Sequence, residues 1–176
     1  MESIKLAEVT RGDIVESIHR GVVVVADNDS NILVHAGDPQ YFSFIRSAAK
    51  PIQAIPVIES GAADYFNFNL EEIAVMTASH SGELEHTRIV MEIIKKIGFE
   101  QEALQCGSHM PFHKSTSKDL IVKGLDPTTL HCACSGKHAG MLALVSYFDY
   151  DLEAYFKLEH PVQQIMLKTM AEFAGV

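Results

Sequence analysis

The spacing of apolar residues changes once along this 176-residue chain, close to residue 44. Before that point, short segments rich in β-branched residues alternate with glycine and turn-forming residues, a pattern typical of antiparallel strands and hairpins. After it, apolar residues recur every three or four positions, which is typical of amphipathic helices. We therefore expect an α/β protein of the α+β type, an antiparallel β-sheet with flanking helices.

The first forty residues predict four strands. The last two are joined by a hairpin at "ADNDSNIL", where Asn28, Asp29 and Asn31 are residue types that tolerate a left-handed backbone. The predicted strands are Ile4–Val9, Ile14–His19, Val22–Ala26 and Ile32–His35.

Helices are predicted for most of the remaining chain. Ile52, Ile55 and Ile58 share one face of a helix that begins close to Ser47 or is kinked by Pro56. Residues 106–136 contain scattered proline and glycine and are predicted to be irregular. Further helices are predicted in "LEEIAVMTA", capped by Asn69 with Glu72, in the segment from Ile89 to the stop at Gly98, in "KHAGMLALVSYF" and in "HPVQQIMLKTMAEFA".

The charge of the chain limits the partners that it can bind. It has 23 acidic against 14 basic residues, a formal net charge of −9, which argues against nucleic acid and against an anionic membrane surface. No apolar run reaches the roughly 18 residues that span a bilayer, and the amino terminus lacks the pattern of a signal peptide. We expect a cytoplasmic protein whose partner is a small molecule or another protein.

Ser47 and Lys50 form a Ser-x-x-Lys pair near the start of the first predicted helix. Residues three apart lie on the same face of a helix, so a lysine amine can take the proton that activates a serine nucleophile. However, 13 serines and 10 lysines give about 0.7 such pairs by chance, and a second pair occurs at Ser115 and Lys118. On spacing alone, two ordinary residues at a helix start are the more frequent explanation.

Two further stretches contain residue types that carry chemistry. In "SHSG", Ser79 and His80 lie between two predicted helices, where an ordinary capping turn is the alternative. In "HCACSGKHAG", Cys134 and Lys137 lie among other thiol and imidazole groups. The Cys-x-Cys spacing, without a second cysteine pair, leaves a local zinc site incomplete, and a thiol-containing loop before a helix is the alternative.

Taken in order, several stretches of the chain resemble a known family. This ordered set is similar to the bacterial asparaginase II family, the thermolabile type of L-asparaginase, along almost all of the sequence. The stretches are "ESIHRG", "RSAAKPIQAIPVIESG", "ASHSGE", "CGSHMPFH", "CSGKHAGML" and "HPVQQ".

That resemblance implies a fold similar to serine β-lactamases and penicillin-binding transpeptidases. Residues 1–176 would be a single domain or the N-terminal half of the family's full domain. The implied activity is the hydrolysis of L-asparagine to L-aspartate and ammonia, commonly by a homodimer. The family pattern places the nucleophile on Ser47, its base on Lys50 and the second catalytic-site serine on Ser79.

The resemblance also implies a substrate pocket and a zinc site. Arg46 and His138 match positions that line the pocket, and a guanidinium suits a substrate carboxylate. Cys134 and Lys137 match two zinc ligands, which must be a thiolate and a neutral amine to bind the metal. Such a lysine must be strongly perturbed, so zinc is expected to have a mainly structural or tuning role. The family's second zinc cysteine and second catalytic lysine have no counterpart in the chain.

Two other functions stay open at this point. A β-lactamase-like or penicillin-binding acylase would share Ser-x-x-Lys, although its usual Ser-x-Asn and Lys-Thr-Gly companions do not occur here. A catalytically incomplete fragment that acts as a thiol and zinc-binding module is the third hypothesis.

Overall fold

The computed structural model describes residues 2–176, which fall into two compact units. One unit ends at Ile45 and contains the strands, and the other, Arg46–Val176, contains the helices. The predicted mixture of antiparallel strands followed by helices is confirmed, while the β-lactamase-like fold stays a prediction. None of the helices in residues 2–176 has both the length and the apolar character needed to cross a membrane.

The strands pair as two separate antiparallel ribbons. The strands are β1 Ile4–Arg11, β2 Ile14–Gly21, β3 Val23–Ala26 and β4 Ile32–Ala36. Backbone hydrogen bonds join β1 to β2 and β3 to β4. Within the described residues the strands therefore form two sheets, and the prediction of one sheet is wrong.

The turn between β3 and β4 confirms the predicted hairpin with a different residue in the left-handed position. The Asp27 carboxylate accepts hydrogen bonds from the backbone N–H groups of Asp29 and Asn31, at 2.9 and 2.8 Å. These bonds fix the turn, and Ser30 takes the left-handed conformation with φ of 64°. The three residues predicted for that role therefore do not fill it.

Seven α-helices form the second unit within the described residues. A short 3₁₀ segment, Arg46–Ala49, precedes the first helix, and two others span Gln101–Ala103 and Thr129–His131. The helices are α1 Lys50–Glu59, α2 Ala62–Tyr65, α3 Leu70–Met76, α4 Leu84–Lys96, α5 Lys114–Lys123, α6 Ser135–Tyr147 and α7 Pro161–Ala174.

Helix α6 lies at the centre of this unit and contacts α1, α3 and α4. It is buried along most of its length, as expected for a central helix. A Cβ atom on Gly136 would lie 2.1 Å from the carbonyl oxygen of Val75, so only glycine lets α3 approach α6 this closely. This contact brings the end of α3 to the amino-terminal end of α6.

Several predicted helix boundaries are confirmed. Asn69 and Glu72 form a reciprocal capping box at the start of α3, and Pro161 occupies the first turn of α7. Gly98 follows α4 with φ of 80°, a left-handed conformation that stops the helix. These boundaries are set by local chemistry, which is why the sequence predicts them.

Helix α5 contradicts the prediction that residues 106–136 are irregular. It is built from serine, threonine, lysine and aspartate with few apolar residues, and Thr116 is its only buried side chain. Because most of its surface faces solvent, the apolar period that identifies a helix is nearly absent. Gly124, with φ of 62°, ends it as a left-handed cap.

The buried face of α1 also differs from the predicted one. Lys50, Ala54 and Val57 are buried at the spacing i, i+4 and i+7, whereas Ile58 is 50% exposed. The small side chains on this face allow α1 to pack against α6, where a Cβ on Gly140 would lie 3.5 Å from Val57 Cγ2. Lys50 is consequently directed to the interior of the unit.

Candidate active site

A pocket of about 270 Å³ lies where α1 and α6 begin. Lys50 is the first residue of α1, and Cys134 immediately precedes α6. The pocket brings together five of the residues predicted from the sequence, and Gln53 completes its lining. These five are Arg46, Ser47, Lys50, Cys134 and Lys137.

Ser47 lies in an exposed 3₁₀ turn that begins with an unusual backbone conformation. Arg46 has φ of 51°, in the left-handed region that non-glycine residues rarely adopt, at a cost of roughly 1–2 kcal/mol. The turn exposes the Ser47 hydroxyl, and no other group within residues 2–176 makes a hydrogen bond to it. The nucleophile predicted from the sequence is thus sterically accessible from the pocket.

The amine of Lys50 is buried and has two hydrogen-bond acceptors. It donates to the hydroxyl of Ser79 and, at 3.4 Å, to the carbonyl oxygen of Ala133. Only 4% of Lys50 is exposed to solvent. Lys50 therefore joins the start of α1 to the loop that follows α3 and to the loop that precedes α6. The hydroxyl that accepts its hydrogen bond is that of Ser79, not that of Ser47.

Ser79 itself is exposed and lines a second pocket, of about 550 Å³. The adjacent His80 lines this pocket too, but its ring bonds to a different serine, since its Nε2 atom lies 2.8 Å from Ser135 Oγ. Adjacent residues seldom face each other, and the bond of His80 to Ser135 gives no support for a Ser79–His80 dyad.

The first pocket favours a negatively charged ligand. Three of its six lining side chains, those of Arg46, Lys50 and Lys137, are basic and none is acidic, in a chain whose net charge is −9. The amino-terminal ends of α1 and α6 add partial positive charge there. Burial lowers the pKa of Lys137, the nearby thiol of Cys134 acts in the opposite direction, and Lys50 lowers it further.

His138 is buried in the interior and is not among the residues that line the pocket. The Tyr155 hydroxyl accepts a hydrogen bond from the Gln105 N–H at 3.0 Å and lies 2.7 Å from His138 Nδ1. Burial, followed by the charges of Lys137 and Lys50, lowers the pKa of His138 to about 4. The bond fits either tautomer of a neutral ring, since Tyr155 can donate its proton to Nδ1 or accept one from it.

Two residues of this region were not predicted from the sequence. Tyr155 lies in a segment without a motif and is joined to His138 only by the folded structure. Gln53 could have been found, because it lies one helical turn after Lys50 and therefore on the same face. The second Ser-x-x-Lys pair, Ser115 and Lys118, lies on the exposed side of α5, as the ordinary interpretation of such a pair predicts.

The described residues supply only part of a zinc site. Cys134 and Lys137 line the same pocket, and Cys106 and Cys132 are free thiols. Within residues 2–176, no group of three or more His, Cys, Asp or Glu side chains has an arrangement that could hold a metal ion. A tetrahedral zinc ion needs four donors, so this set does not complete one.

Comparison with known proteins identifies the family. A search among curated proteins gives no match to the sequence. The model of the L-asparaginase II family matches residues 7–176, which include every residue that lines the first pocket. The chain therefore belongs to the L-asparaginase II family.

Proposed function

We propose that this protein is an amidohydrolase that converts L-asparagine into L-aspartate and ammonia. Membership of its family suggests an asparaginase-type function. One observation carries the mechanism: the buried amine of Lys50 lines the same pocket as Ser47 and donates a hydrogen bond to Ser79. A serine nucleophile needs an adjacent base, and an amine between two hydroxyl groups can exchange protons with both.

The basic lining of the pocket supports an amino acid substrate. Arg46 is proposed to bind the α-carboxylate, because a guanidinium can donate two parallel hydrogen bonds to it. The amino-terminal ends of α1 and α6 add to the attraction. Gln53 supplies an amide group that can pair with the substrate's own amide. His138 stays a predicted contributor to this pocket.

In the first proposed step, the Ser47 hydroxyl oxygen forms a bond to the side-chain amide carbon of asparagine. The serine proton passes to the amine of Lys50, a step that requires the neutral amine with its lone pair. The carbon–nitrogen bond then breaks, and the departing nitrogen receives a proton from Lys50 through Ser79. Ammonia leaves, and an aspartyl ester to Ser47 remains.

In the second proposed step, water attacks the carbonyl carbon of this ester. Lys50 accepts a proton from the water and returns one to Ser47 as the ester bond breaks. Aspartate leaves with a new carboxyl group, which loses its proton to solvent to become a carboxylate, and the hydroxyl of Ser47 is regenerated. The same basic group thus serves both halves of the reaction, as microscopic reversibility allows.

Ammonia release from L-asparagine by the purified protein tests this function. Ser47→Ala should lower kcat by at least about 1,000-fold, because the nucleophile is absent. Ser115→Ala is the matched control, since it removes the serine of the other Ser-x-x-Lys pair from the exposed side of α5. Equal activity of the Ser47→Ala variant and the wild type would refute Ser47 as the nucleophile.

Zinc is proposed as a structural or tuning ion bound in part by Cys134 and Lys137. When bound, it would hold these two side chains in fixed positions beside the pocket. Zinc content after dialysis tests the proposal, with Cys134→Ser compared with Cys106→Ser. Loss of zinc in the first variant alone supports it, and equal zinc content in the two variants contradicts it.

A homodimer is proposed on the basis of the family resemblance. The ribbons leave large apolar side chains in contact with solvent, including Ile14, Leu33 and Val34, which are 74%, 65% and 60% exposed. Exposed apolar patches are typical of interfaces. Light scattering over a range of concentrations tests the assembly, and a monomeric mass throughout that range would exclude it.

A further inference from the structure

His80 is a buried imidazole next to Ser79, and both of its ring nitrogens are hydrogen-bonded. Only 5% of the residue is exposed to solvent. The backbone N–H of Gly82 donates to His80 Nδ1 at 3.1 Å, and His80 Nε2 lies 2.8 Å from Ser135 Oγ. The proposed reaction described above makes no use of this side chain.

The bonds around His80 determine where its proton lies. A backbone N–H can only donate, so Nδ1 is an acceptor and the neutral ring carries its proton on Nε2. Nε2–H then donates to Ser135 Oγ, and the Ser135 hydroxyl donates in turn to the carbonyl oxygen of Leu130 at 3.0 Å. Every donor in this chain of bonds has an acceptor.

The charges near His80 favour the same neutral form. Burial, followed by the charges of His86, Lys50, His109 and His131, lowers the pKa of His80 to about 4. The His86 ring stacks on it with centroids 5.1 Å apart. These neighbours are all bases, and each of them opposes a positive charge on His80.

The backbone of His80 reaches the same carbonyl group as the amine of Lys50. His80 N–H donates to the Ala133 carbonyl oxygen at 3.3 Å, and Lys50 Nζ donates to that oxygen at 3.4 Å. The side chain of His80 binds two residues further on, at Ser135. The loop that carries Ser79 is therefore attached at two points to the start of α6.

We propose that His80 is a positioning residue, whose neutral Nε2–H form fixes the Ser79 loop to Ser135 and so keeps the Ser79 hydroxyl on the amine of Lys50. Its catalytic consequence rests on the proposed function. Without the bond to Ser135, Ser79 and Lys50 would still be present, but the hydroxyl would sample positions away from the amine. A misplacement of about 1 Å in a catalytic group can lower a rate by about 100-fold.

Three substitutions separate the two bonds of the ring. His80→Gln keeps a side-chain N–H near the Nε2 position, His80→Asn keeps an acceptor near Nδ1, and His80→Phe keeps neither. We expect kcat to fall about 100-fold in His80→Phe with KM within about twofold. His80→Gln should recover at least about tenfold of that loss, His80→Asn should not, and Ser135→Ala should resemble His80→Phe.

Two measurements do not depend on turnover. Nitrogen-15 NMR of the imidazoles should show His80 protonated on Nε2 alone at pH 7. The resonances of the Lys50 side-chain amine should shift in His80→Phe and in Ser135→Ala, but not in the surface control His19→Gln. These measurements decide the positioning role even if the wild type releases no ammonia, a result that would refute the proposed function separately.

A positioning role of His80 requires all of these outcomes together. A proton on Nδ1, an unchanged Lys50 amine in His80→Phe, or full kcat in that variant would each overturn it. A variant that loses thermal stability but keeps the wild-type kcat and Lys50 resonances would assign His80 a structural role instead, which likewise overturns it.

Discussion

The amine of Lys50 donates a hydrogen bond to the hydroxyl of Ser79, a residue 29 positions further along the chain. Ser47, only three positions away, lines the same pocket but makes no hydrogen bond to Lys50 among residues 2–176. The Ser-x-x-Lys spacing therefore identifies two residues of the pocket, but the hydrogen bond of Lys50 is made to a serine that is distant in the sequence. In the proposed reaction, this contact holds the amine between the two serines.

Lys50→Met should remove the activity without destabilising the fold. The side chain is 4% exposed, so methionine would replace a buried amine with an apolar group of similar length. The exposed Ser79 can bond to water instead, and the Ala133 carbonyl oxygen keeps the His80 N–H as a donor. We expect kcat to fall about 1,000-fold and the free energy of unfolding to stay within about 1 kcal/mol.

Ammonia release and urea unfolding, measured on the same samples, check this prediction. Lys118→Met on the exposed side of α5 is the control and should change neither quantity. A loss of several kcal/mol in Lys50→Met would mean that the lysine stabilises the fold rather than serving the site.

The burial of Lys50 explains why the sequence predicts this site only in part. The apolar period of α1 points to the face of Ile52, Ile55 and Ile58, and a lysine is normally assigned to solvent. The small residues Ala54 and Val57 select the other face, because they fit against α6. That choice depends on the partner helix, which no local pattern encodes.

Arg46→Gly should separate backbone strain from ligand binding. The φ of 51° at Arg46 costs little for glycine, so we expect the free energy of unfolding to rise by about 1 kcal/mol. The proposed carboxylate contact would be lost, and KM for L-asparagine should rise at least about tenfold. Urea unfolding and steady-state kinetics measure the two effects.

Ala154→Gly is the matched control for this change, since Ala154 has a similar φ of 53° and lies outside the pocket. It should gain similar stability and keep the wild-type KM. An unchanged KM in Arg46→Gly would show that this guanidinium does not bind the substrate.

Gly136→Ala should strongly destabilise the helical unit. The added Cβ would lie 2.1 Å from the Val75 carbonyl oxygen, and backbone atoms of two helices would have to separate. We expect a loss of about 3 kcal/mol or more in the free energy of unfolding. Gly140→Ala is the control on the same helix, because its Cβ would lie 3.4 Å from the Met76 side chain, an ordinary contact.

Circular dichroism during urea unfolding distinguishes the two variants. Gly140→Ala should stay within about 1 kcal/mol of the wild type, since alanine favours helix. Equal stability of the two variants would contradict the close packing of α3 on α6.

The hydrogen bonds of His80 and His138 could not be predicted from the sequence. Local chemistry identifies caps such as the Asn69–Glu72 box, and the ordered motifs identify the residues of the pocket. The His80 bond to Ser135 and the His138 bond to Tyr155 join residues 55 and 17 positions apart. No spacing rule connects such pairs, so their protonation states follow only from the folded structure.

The lowered pKa of His80 predicts a pH-dependent contribution to stability. In the folded protein its pKa is about 4, against an ordinary value of 6.5, so the unfolded chain binds a proton at this residue more readily. The contribution is therefore complete above pH 6.5, falls as the pH drops from 6.5 to 4, and changes no further below pH 4. The loss over this range is about 3 kcal/mol.

The free energies of unfolding of the wild type and His80→Gln, measured between pH 4 and 8, should thus converge towards acid pH. His19→Gln, on the exposed surface of β2, should follow the wild type. A constant difference between wild type and His80→Gln would show that His80 is not held neutral by its surroundings.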